Sequence, residues 1–409
     1  MESGGLERTP KRLAVKLSAA GERIVRSGHP WIFSKHIVKC KEGGKPGDIA
    51  VIFGQQSNTV MGIGLFDPLS PIRIKMIHAK GPALLDSTFF SEKIAKAKHL
   101  RTPLLATQTN SYRLLFGEND GLPGLIADVF DKVLVVKLYS AIWIPFLNTI
   151  LPLLEEQAQT ETTVIRLNRM LQKHPQSGLS EGMLWTGTLP SETIPFLEHG
   201  IKFQANVIKG HKTGYFLDHR HNRKRVGEMA RGKTVLDVFS YAGGFSVHAL
   251  AGGATEVTSV DISAQALAVA EENAALNSFS GTHETVAGDA FEVLEQWVSE
   301  GRTFDMVVID PPSFAKRASE IPKAIKKYHQ LALLGAQLVA PQGTLVLASC
   351  SSRIKADQFF EINNTSLQRS GSIFSLVHTT RHDIDHPVTF PEGWYLKCGY
   401  YRKDKESRE

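Results

Sequence analysis

Residues able to do chemistry close a series of apolar runs in the second half of the chain. Asp237 lies in Thr234-Val-Leu-Asp-Val-Phe-Ser-Tyr-Ala-Gly-Gly-Phe, and Asp261 ends the run from Val257. Asp289 sits in Ala287-Gly-Asp-Ala, Asp310 ends Phe304-Asp-Met-Val-Val-Ile-Asp-Pro-Pro-Ser-Phe, and Cys350 follows Thr344-Leu-Val-Leu-Ala-Ser. Helix-like stretches separate these runs. Alternation of strand and crossover helix predicts a doubly wound parallel sheet, whose ligands bind beyond the carboxyl ends of the strands. The five polar residues sit at those ends. Carboxylates there can accept hydrogen bonds from hydroxyls and amines, and a thiol can act as a nucleophile.

Gly243 and Gly244 form the first strand-to-helix turn, where the backbone can approach a ligand and helical N–H groups are unpaired. The fingerprint G-x-G-x-x-G is absent, and the acidic strand end before the glycines argues against a pyrophosphate. An acidic first loop suits a cation, and S-adenosylmethionine carries an ammonium and a sulfonium. On that reading Asp261 accepts both ribose hydroxyls and Asp289 meets the adenine amine. The competing reading is a Rossmann-like sheet that binds no nucleotide.

Asp310-Pro311-Pro312-Ser313-Phe314 can continue neither as strand nor as helix. The rigid turn would fix the Asp310 carboxylate toward an amine-bearing base, with Phe314 either stacked on that base or packed in the core. Cys350 also admits two readings. A thiolate adding to C6 of cytosine would activate C5 toward a methyl donor, whereas a small buried cysteine would merely pack. Cys40 and Cys398 lack such a context and read as structural. The run Lys209-Gly-His-Lys-Thr-Gly-Tyr-Phe-Leu-Asp-His-Arg-His-Asn-Arg223 precedes the sheet. Its aromatics could cover an adenine or the methionine arm, and Arg220 and Arg223 could hold a carboxylate or phosphate; a solvated basic helix start is the alternative for Lys224 and Arg225, which follow it. Lys316, Arg317, Lys323, Lys326 and Lys327 would either rim the site for a phosphate backbone or line a solvated helix. Trp31 reads as buried in preference to a stacking platform, and His382, Asp385 and His386 show no metal-ligand spacing.

Three segments must position these residues. Residues 11–88 carry short strands (Leu13–Leu17, Ile49–Phe53, Val60–Phe66, Ile72–Ile77) and predict a small β-barrel or sandwich. Residues 89–207 begin with a helix near Ser91–Thr102. They continue with strands around 112–116, 125–130, 133–139 and 164–167, a helix over 143–157, and a hairpin at His199-Gly200, an α+β module. Residues 208–403 hold the parallel sheet and end in a closing hairpin, Phe374–Thr380 with Tyr395–Tyr401.

The 409 residues are enough for two or three domains, and 42% hydrophobic content supports sizeable cores. A formal net charge of +6 favours an anionic partner without proving one. Three cysteines without pairing fit a reducing cytosol, so a cytoplasmic location is expected. Met1–Pro10 is polar and reads as a frayed start, not a signal peptide, and no apolar run is long enough to span a membrane.

These motifs together resemble the bacterial large-subunit ribosomal RNA cytosine-5 methyltransferases. The resemblance covers nearly the whole chain: His29-Pro-Trp-Ile-Phe-Ser34, Gly117-Glu-Asn-Asp-Gly-Leu-Pro-Gly124, Gly210-His-Lys-Thr-Gly-Tyr-Phe-Leu-Asp218, Phe239-Ser-Tyr-Ala-Gly-Gly-Phe245, Asp310-Pro-Pro-Ser-Phe314, Ser349-Cys-Ser351 and His386-Pro-Val with Pro391-Glu-Gly. It implies an N-terminal PUA domain, a central α+β domain and a C-terminal class I (Rossmann-like) methyltransferase domain. It further implies S-adenosylmethionine as donor and 23S ribosomal RNA as substrate. Cys350 matches the nucleophile, with Asp310 beside it. The cofactor side is expected from Tyr215, Phe216, Asp218, Arg220 and Asn222, then Asp237, Phe239, Tyr241, Gly243 and Gly244, then Asp261, Ile262, Asp289 and Ala290. Ser313 stands where the family often has lysine. The second cysteine that other RNA cytosine-5 methyltransferases carry after the fourth-strand motif is missing, so another base must free the product. Two readings compete: methylation of a guanine or adenine nitrogen, and an RNA-binding assembly factor with an idle methyltransferase fold. No partner beyond RNA is implied except a second copy of the chain, since the sequence leaves the oligomeric state open.

Overall fold

The computed structural model describes residues 8–57, 59–173 and 178–407. The expected start Met1–Pro10 therefore lies outside the described residues up to position 7. The chain divides into two compact units. The first comprises residues up to Leu197, Gln204–Leu217 and Ile384–Phe390; the second comprises Glu198–Phe203, Asp218–Asp383 and Pro391 onward.

Two sheets form the first unit. Strands β1 (Arg12–Leu17), β2 (Trp31–Phe33), β3 (Ile37–Cys40), β4 (Ile49–Phe53), β5 (Val60–Phe66) and β6 (Ile72–His78) pair in the order β2-β6-β5-β4-β1-β3. Helix α1 (Ala19–Arg26) is capped by Ser18, whose hydroxyl accepts from Gly21 N. Helix α2 (Ser87–Leu105), capped by Asp86, leads into β7 (Ser111–Phe116), β8 (Leu125–Phe130), β9 (Val133–Leu138), β10 (Thr162–Leu167) and β11 (Met183–Thr186). These five strands run in the order β11-β10-β9-β8-β7, and α3 (Leu147–Ala158) and the short α4 (Arg169–Lys173) fall between them in sequence. Arg101, fully buried, donates to both carboxylate oxygens of Asp120 at 2.9 and 2.7 Å, tying α2 to the turn after β7. The expected elements are all present. Trp31 is only half-buried, packed edge-on against Phe390 and donating to Glu118 at 3.0 Å. His386 and Asp385 bond each other at 2.8 Å in this unit, as structural residues should.

The hairpin β12 (Thr193–Glu198) and β13 (Ile201–Asn206) is followed by the elements of the second unit. They are α5 (Arg220–Met229), β14 (Thr234–Val238), α6 (Gly244–Ala251), β15 (Glu256–Asp261), α7 (Ala264–Ala275), β16 (Thr282–Ala287), α8 (Ala290–Ser299), β17 (Phe304–Ile309), α9 (Ile321–Leu338), β18 (Val339–Ser349), α10 (Ala356–Arg369), β19 (Ser372–Thr380) and β20 (Lys397–Ser407). The sheet order is β16-β15-β14-β17-β18-β20-β19. Its first five strands are parallel and the terminal hairpin is antiparallel. The central strands β14, β15, β17 and β18 are buried on both faces. Leu236, Val238, Val307, Ile309, Leu345 and Leu347 pack toward α8, α9 and α10, while Val235, Met306, Val308, Val346 and Ala348 pack toward α5 and α6. Period-2 alternation of two apolar sets explains why β17 and the core of β18 read as nearly continuous hydrophobic runs. Strand order reverses beside β14, between β15 and β17, and this switch point gathers the candidate residues.

Candidate active site

The loop after β14 is wound tightly. Phe239 and Tyr241 hold left-handed φ values of 63° and 49°, and Gly243 follows at 72°. Left-handed non-glycine residues persist only where their surroundings over-determine them, and they concentrate at functional sites. Here the Asp261 carboxylate helps fix the loop: it accepts from Tyr241 N and from Ser263 N, each at 2.9 Å. Gly243 has a packing role, because a Cβ there would come within 2.7 Å of the Ala270 Cβ on α7. Gly244 opens α6.

Asp237 is fully buried. Its Oδ2 accepts from Ser246 N at 3.0 Å and Ser246 Oγ at 2.7 Å, while Oδ1 has no hydrogen-bond partner. Burial, aided by the nearby Asp310 and Asp261 charges, pushes the carboxyl up to about 7. A buried acceptor with an open lone pair, in an acidic neighbourhood, fits a cationic donor group. Asp289 caps α8 by accepting from Phe291 N at 2.9 Å, and Ala290 is buried behind it. Ile262, after β15, exposes 75% of its surface.

Parallel pairing of β17 with β18, in register Ile309↔Leu347, brings Asp310 and Cys350 to neighbouring strand ends. Asp310 N donates to Val238 O at 3.3 Å, and Cys350 Sγ approaches Pro311 O at 3.8 Å. Thus the thiol lies against the Asp-Pro-Pro turn. Phe314 packs among Phe239, Phe291 and Tyr328 with Lys327 4.7 Å from its ring centroid, the core alternative of the two expected.

Three residues that the motifs did not single out complete this end of the sheet. His219 Nε2 lies 3.4 Å from Asp310 Oδ1. Burial lowers the affinity of this imidazole for a proton, but Asp310 outweighs it and the net direction is upward. Tyr395 OH donates to Asp218 Oδ2 at 2.9 Å. Lys397, opposite Ser349 in the β18–β20 ladder, donates to Ser351 O, to Ile354 O at 2.6 Å and to Tyr395 O at 3.1 Å. Its ammonium therefore pins the loop that follows Cys350. Burial pushes Lys397 down to about 8, against the opposing influence of Cys350. A lysine at the start of a terminal strand carries no sequence signal for this role.

The basic run is solvated at Lys209, Lys212 and Lys224 but not along the inner face of α5. Arg220 and Asn222 are fully buried. Arg220 Nη1 sits 3.2 Å from Asp383, and Asn222 accepts from Thr380 Oγ1 at 2.6 Å and Tyr400 OH at 2.9 Å while its amide contacts His219 Nδ1 at 3.0 Å. Arg223 grips Glu198 through two bonds of 2.7 Å, and His248 adds a third at 2.9 Å. The carboxylates these arginines hold belong to the chain itself. Tyr215 and Phe216 fall in the first unit, where Tyr215 packs edge-on against Phe196 and Lys212 covers Phe216.

A doubly wound sheet with acidic residues at its switch point and a half-buried thiol defines a nucleoside-binding group-transfer fold. The comparisons narrow the class. The S-adenosylmethionine-dependent methyltransferase family matches residues 113–392, and a PUA-like domain matches residues 15–78. The ribosomal RNA large subunit methyltransferase of Deinococcus radiodurans is 40% identical over 400 residues, covering 96% of this chain and 98% of that protein. The ribosomal RNA large subunit methyltransferase I of Klebsiella pneumoniae is 34% identical, covering 93% and 96%. A solved candidate methyltransferase from Streptococcus mutans superposes with a TM-score of 0.79 at 20% identity, over 95% of this chain and 99% of that one. Another, solved with S-adenosylhomocysteine, gives 0.78 at 21%, over 96% and 100%. The chain belongs to the S-adenosylmethionine-dependent methyltransferase family.

Proposed function

We propose that this enzyme methylates C5 of a cytosine in 23S ribosomal RNA, through a covalent adduct on Cys350. The observation that carries the proposal is the thiol of Cys350 lying against the Asp310-Pro311 turn. Relatives named for large-subunit ribosomal RNA, matched over almost their whole length, support the substrate class. A base flipped out of its stack would enter beside Asp310.

Bound S-adenosylmethionine supplies an electrophilic methyl group. The Cys350 thiolate forms a bond to C6, and the displaced π electrons make C5 nucleophilic. Asp310 holds the base edge through N3 or N4. C5 would take the methyl as its bond to the sulfonium sulfur breaks and the neutral thioether leaves; a base would then remove the C5 proton, and the returning electron pair would restore the C5–C6 double bond and expel the thiolate. Lys397 keeps the Cys350 loop in place throughout, and positioning of this kind supplies much of the rate. On the cofactor side, the open oxygen of Asp237 takes the ammonium, Asp261 the ribose hydroxyls, and Asp289 the adenine amine, with Ile262, Phe239, Tyr241 and Ala290 shaping the wall. Arg220 and Asn222 act indirectly, by ordering Asp383 and His219. Tyr215, Phe216 and Asp218 are kept as proposed cofactor-side residues on the motif that carries them.

We keep the division into residues 11–88, 89–207 and 208–403, the cytoplasmic location and a second copy of the chain as parts of this proposal; among the described residues no helix is long and apolar enough to cross a membrane. Replacing Cys350 by alanine tests the mechanism. Loss of methylation with cofactor binding retained is expected, and undiminished turnover would refute the covalent route. Nucleoside mass spectrometry of the product separates 5-methylcytidine from nitrogen-methylated purines.

A further inference from the structure

The first unit contains a basic cavity of about 360 Å³, outside the residues matched to the PUA-like domain. Four segments build it, the loop before β11 supplying Glu181. The end of β9 contributes Lys137 and Tyr139, the end of β10 and the start of α4 contribute Arg166 and Arg169, and the loop after β13 contributes Lys209 and Lys212. Glu181 is the one carboxylate among its described lining residues. Its charge is matched by Arg166, 2.7 Å away, whose remaining donors go to Val207 O at 3.1 Å and Gly210 O at 2.9 Å. This pair cancels and forms a rigid floor. Lys137, Arg169, Lys209 and Lys212 remain, with no second lining carboxylate to offset them.

The excess positive charge is felt locally. Burial, then the charges of Arg166 and Lys212, hold the Lys137 ammonium below its usual range. Its Nζ donates to Lys212 O at 3.0 Å, which fixes its position. Lys209 pairs with Glu192 at 2.8 Å, but both side chains are largely exposed, so that bond is weak and exchangeable. Tyr139 exposes 46% of its surface, and its carbonyl is held by Asn168 at 2.7 Å. Several cations around one exposed aromatic ring make a poor site for a metal ion or an apolar molecule. They exceed what one phosphate needs, and they match the backbone-plus-stacking chemistry of a single strand.

We propose that this cavity clamps single-stranded RNA, with successive phosphates on Lys137, Arg169, Lys209 and Lys212 and one base stacked on Tyr139. The proposal rests on the RNA-substrate reading above. Fluorescence anisotropy of a labelled single-stranded RNA oligonucleotide, titrated with the full chain at several salt concentrations, tests it. The triple variant K137Q/R169Q/K209Q should flatten the log–log salt dependence by about 2. The variant Y139A should weaken binding about tenfold with the salt slope unchanged. Melting temperature and S-adenosylmethionine affinity should match the parent in both. Wild-type affinity and slope in the triple variant would overturn the clamp. So would a triple variant that loses inorganic phosphate binding yet keeps its RNA affinity, which would mark a free-anion site. A wild-type enzyme that leaves ribosomal RNA unmodified, while the triple variant still loses RNA binding, would count against the substrate reading and for the clamp.

Discussion

If it takes the ammonium as proposed, Asp237 couples cofactor binding to pH. Its folded-state value of about 7 stands far above that of an unfolded aspartate, near 4. Between those values the unfolded chain has released the proton and the folded chain has kept it, so this group makes the free protein less stable as pH rises. A cationic ligand favours the ionised form. Affinity for S-adenosylmethionine should therefore fall as pH drops through 7, approaching tenfold per unit, and calorimetry across pH 5.5–8.5 should show it. Asp237→Asn should flatten that dependence, weaken binding at least tenfold and raise the melting temperature of the free protein at pH 8. A parallel pH profile in the variant would show that another group binds the ammonium. Lys397 makes a second prediction at this scale. Lys397→Met removes an ammonium that is itself lost above about pH 8 and leaves buried carbonyls unpaired, at a cost of about 1–3 kcal/mol. The midpoint of Cys350 alkylation by iodoacetamide should move to higher pH, with Lys397→Arg intermediate; an unmoved midpoint would limit Lys397 to packing. The strand-end carboxylates and Cys350 were legible in the sequence because apolar runs stop at them. Lys397 and His219 were not, because their partners are backbone carbonyls or residues brought close only by the sheet order.

Elements explain which secondary structure could be read. Strands β14, β15 and β17 are buried on both faces and announce themselves by apolar residues at successive positions. Strand β18 begins at Val339, earlier than its apolar core, because Phe304↔Val339 and Met306↔Thr344 pair across a bulge. Helices α5 and α10 left weaker traces. The inner face of α5 is charged, and its burial depends on Glu198, a hairpin residue distant in sequence. Burial alone would raise Glu198, but Arg223 prevails and holds it below the usual carboxylate range. Its stabilising contribution is present above the unfolded pKa and is lost as pH falls toward the folded one. Glu198→Gln should leave Arg223 and Arg220 inadequately paired and cost about 3–5 kcal/mol, read as a large drop in the melting temperature at pH 7 that shrinks in acid. A drop under about 1 kcal/mol would mean that the cluster is solvated in solution.

At the scale of the whole molecule, charge and architecture point to the same partner. The surplus of basic residues is modest, but part of it is concentrated in the cavity lined by Lys137, Arg169, Lys209 and Lys212. The sheet-based methyltransferase fold and the PUA-like strands were readable from spacing and motif. The cavity was not, since its four segments approach one another only in the folded chain. The central claim concerns the Cys350 thiol and one cytosine. Incubate ribosomal RNA from cells lacking this protein with the enzyme and S-adenosylmethionine, digest it, and quantify methylated nucleosides by mass spectrometry. The account predicts one new 5-methylcytidine in 23S RNA with the wild-type enzyme and none with Cys350→Ala. A methylated purine nitrogen, or 5-methylcytidine formed equally by the variant, would contradict it.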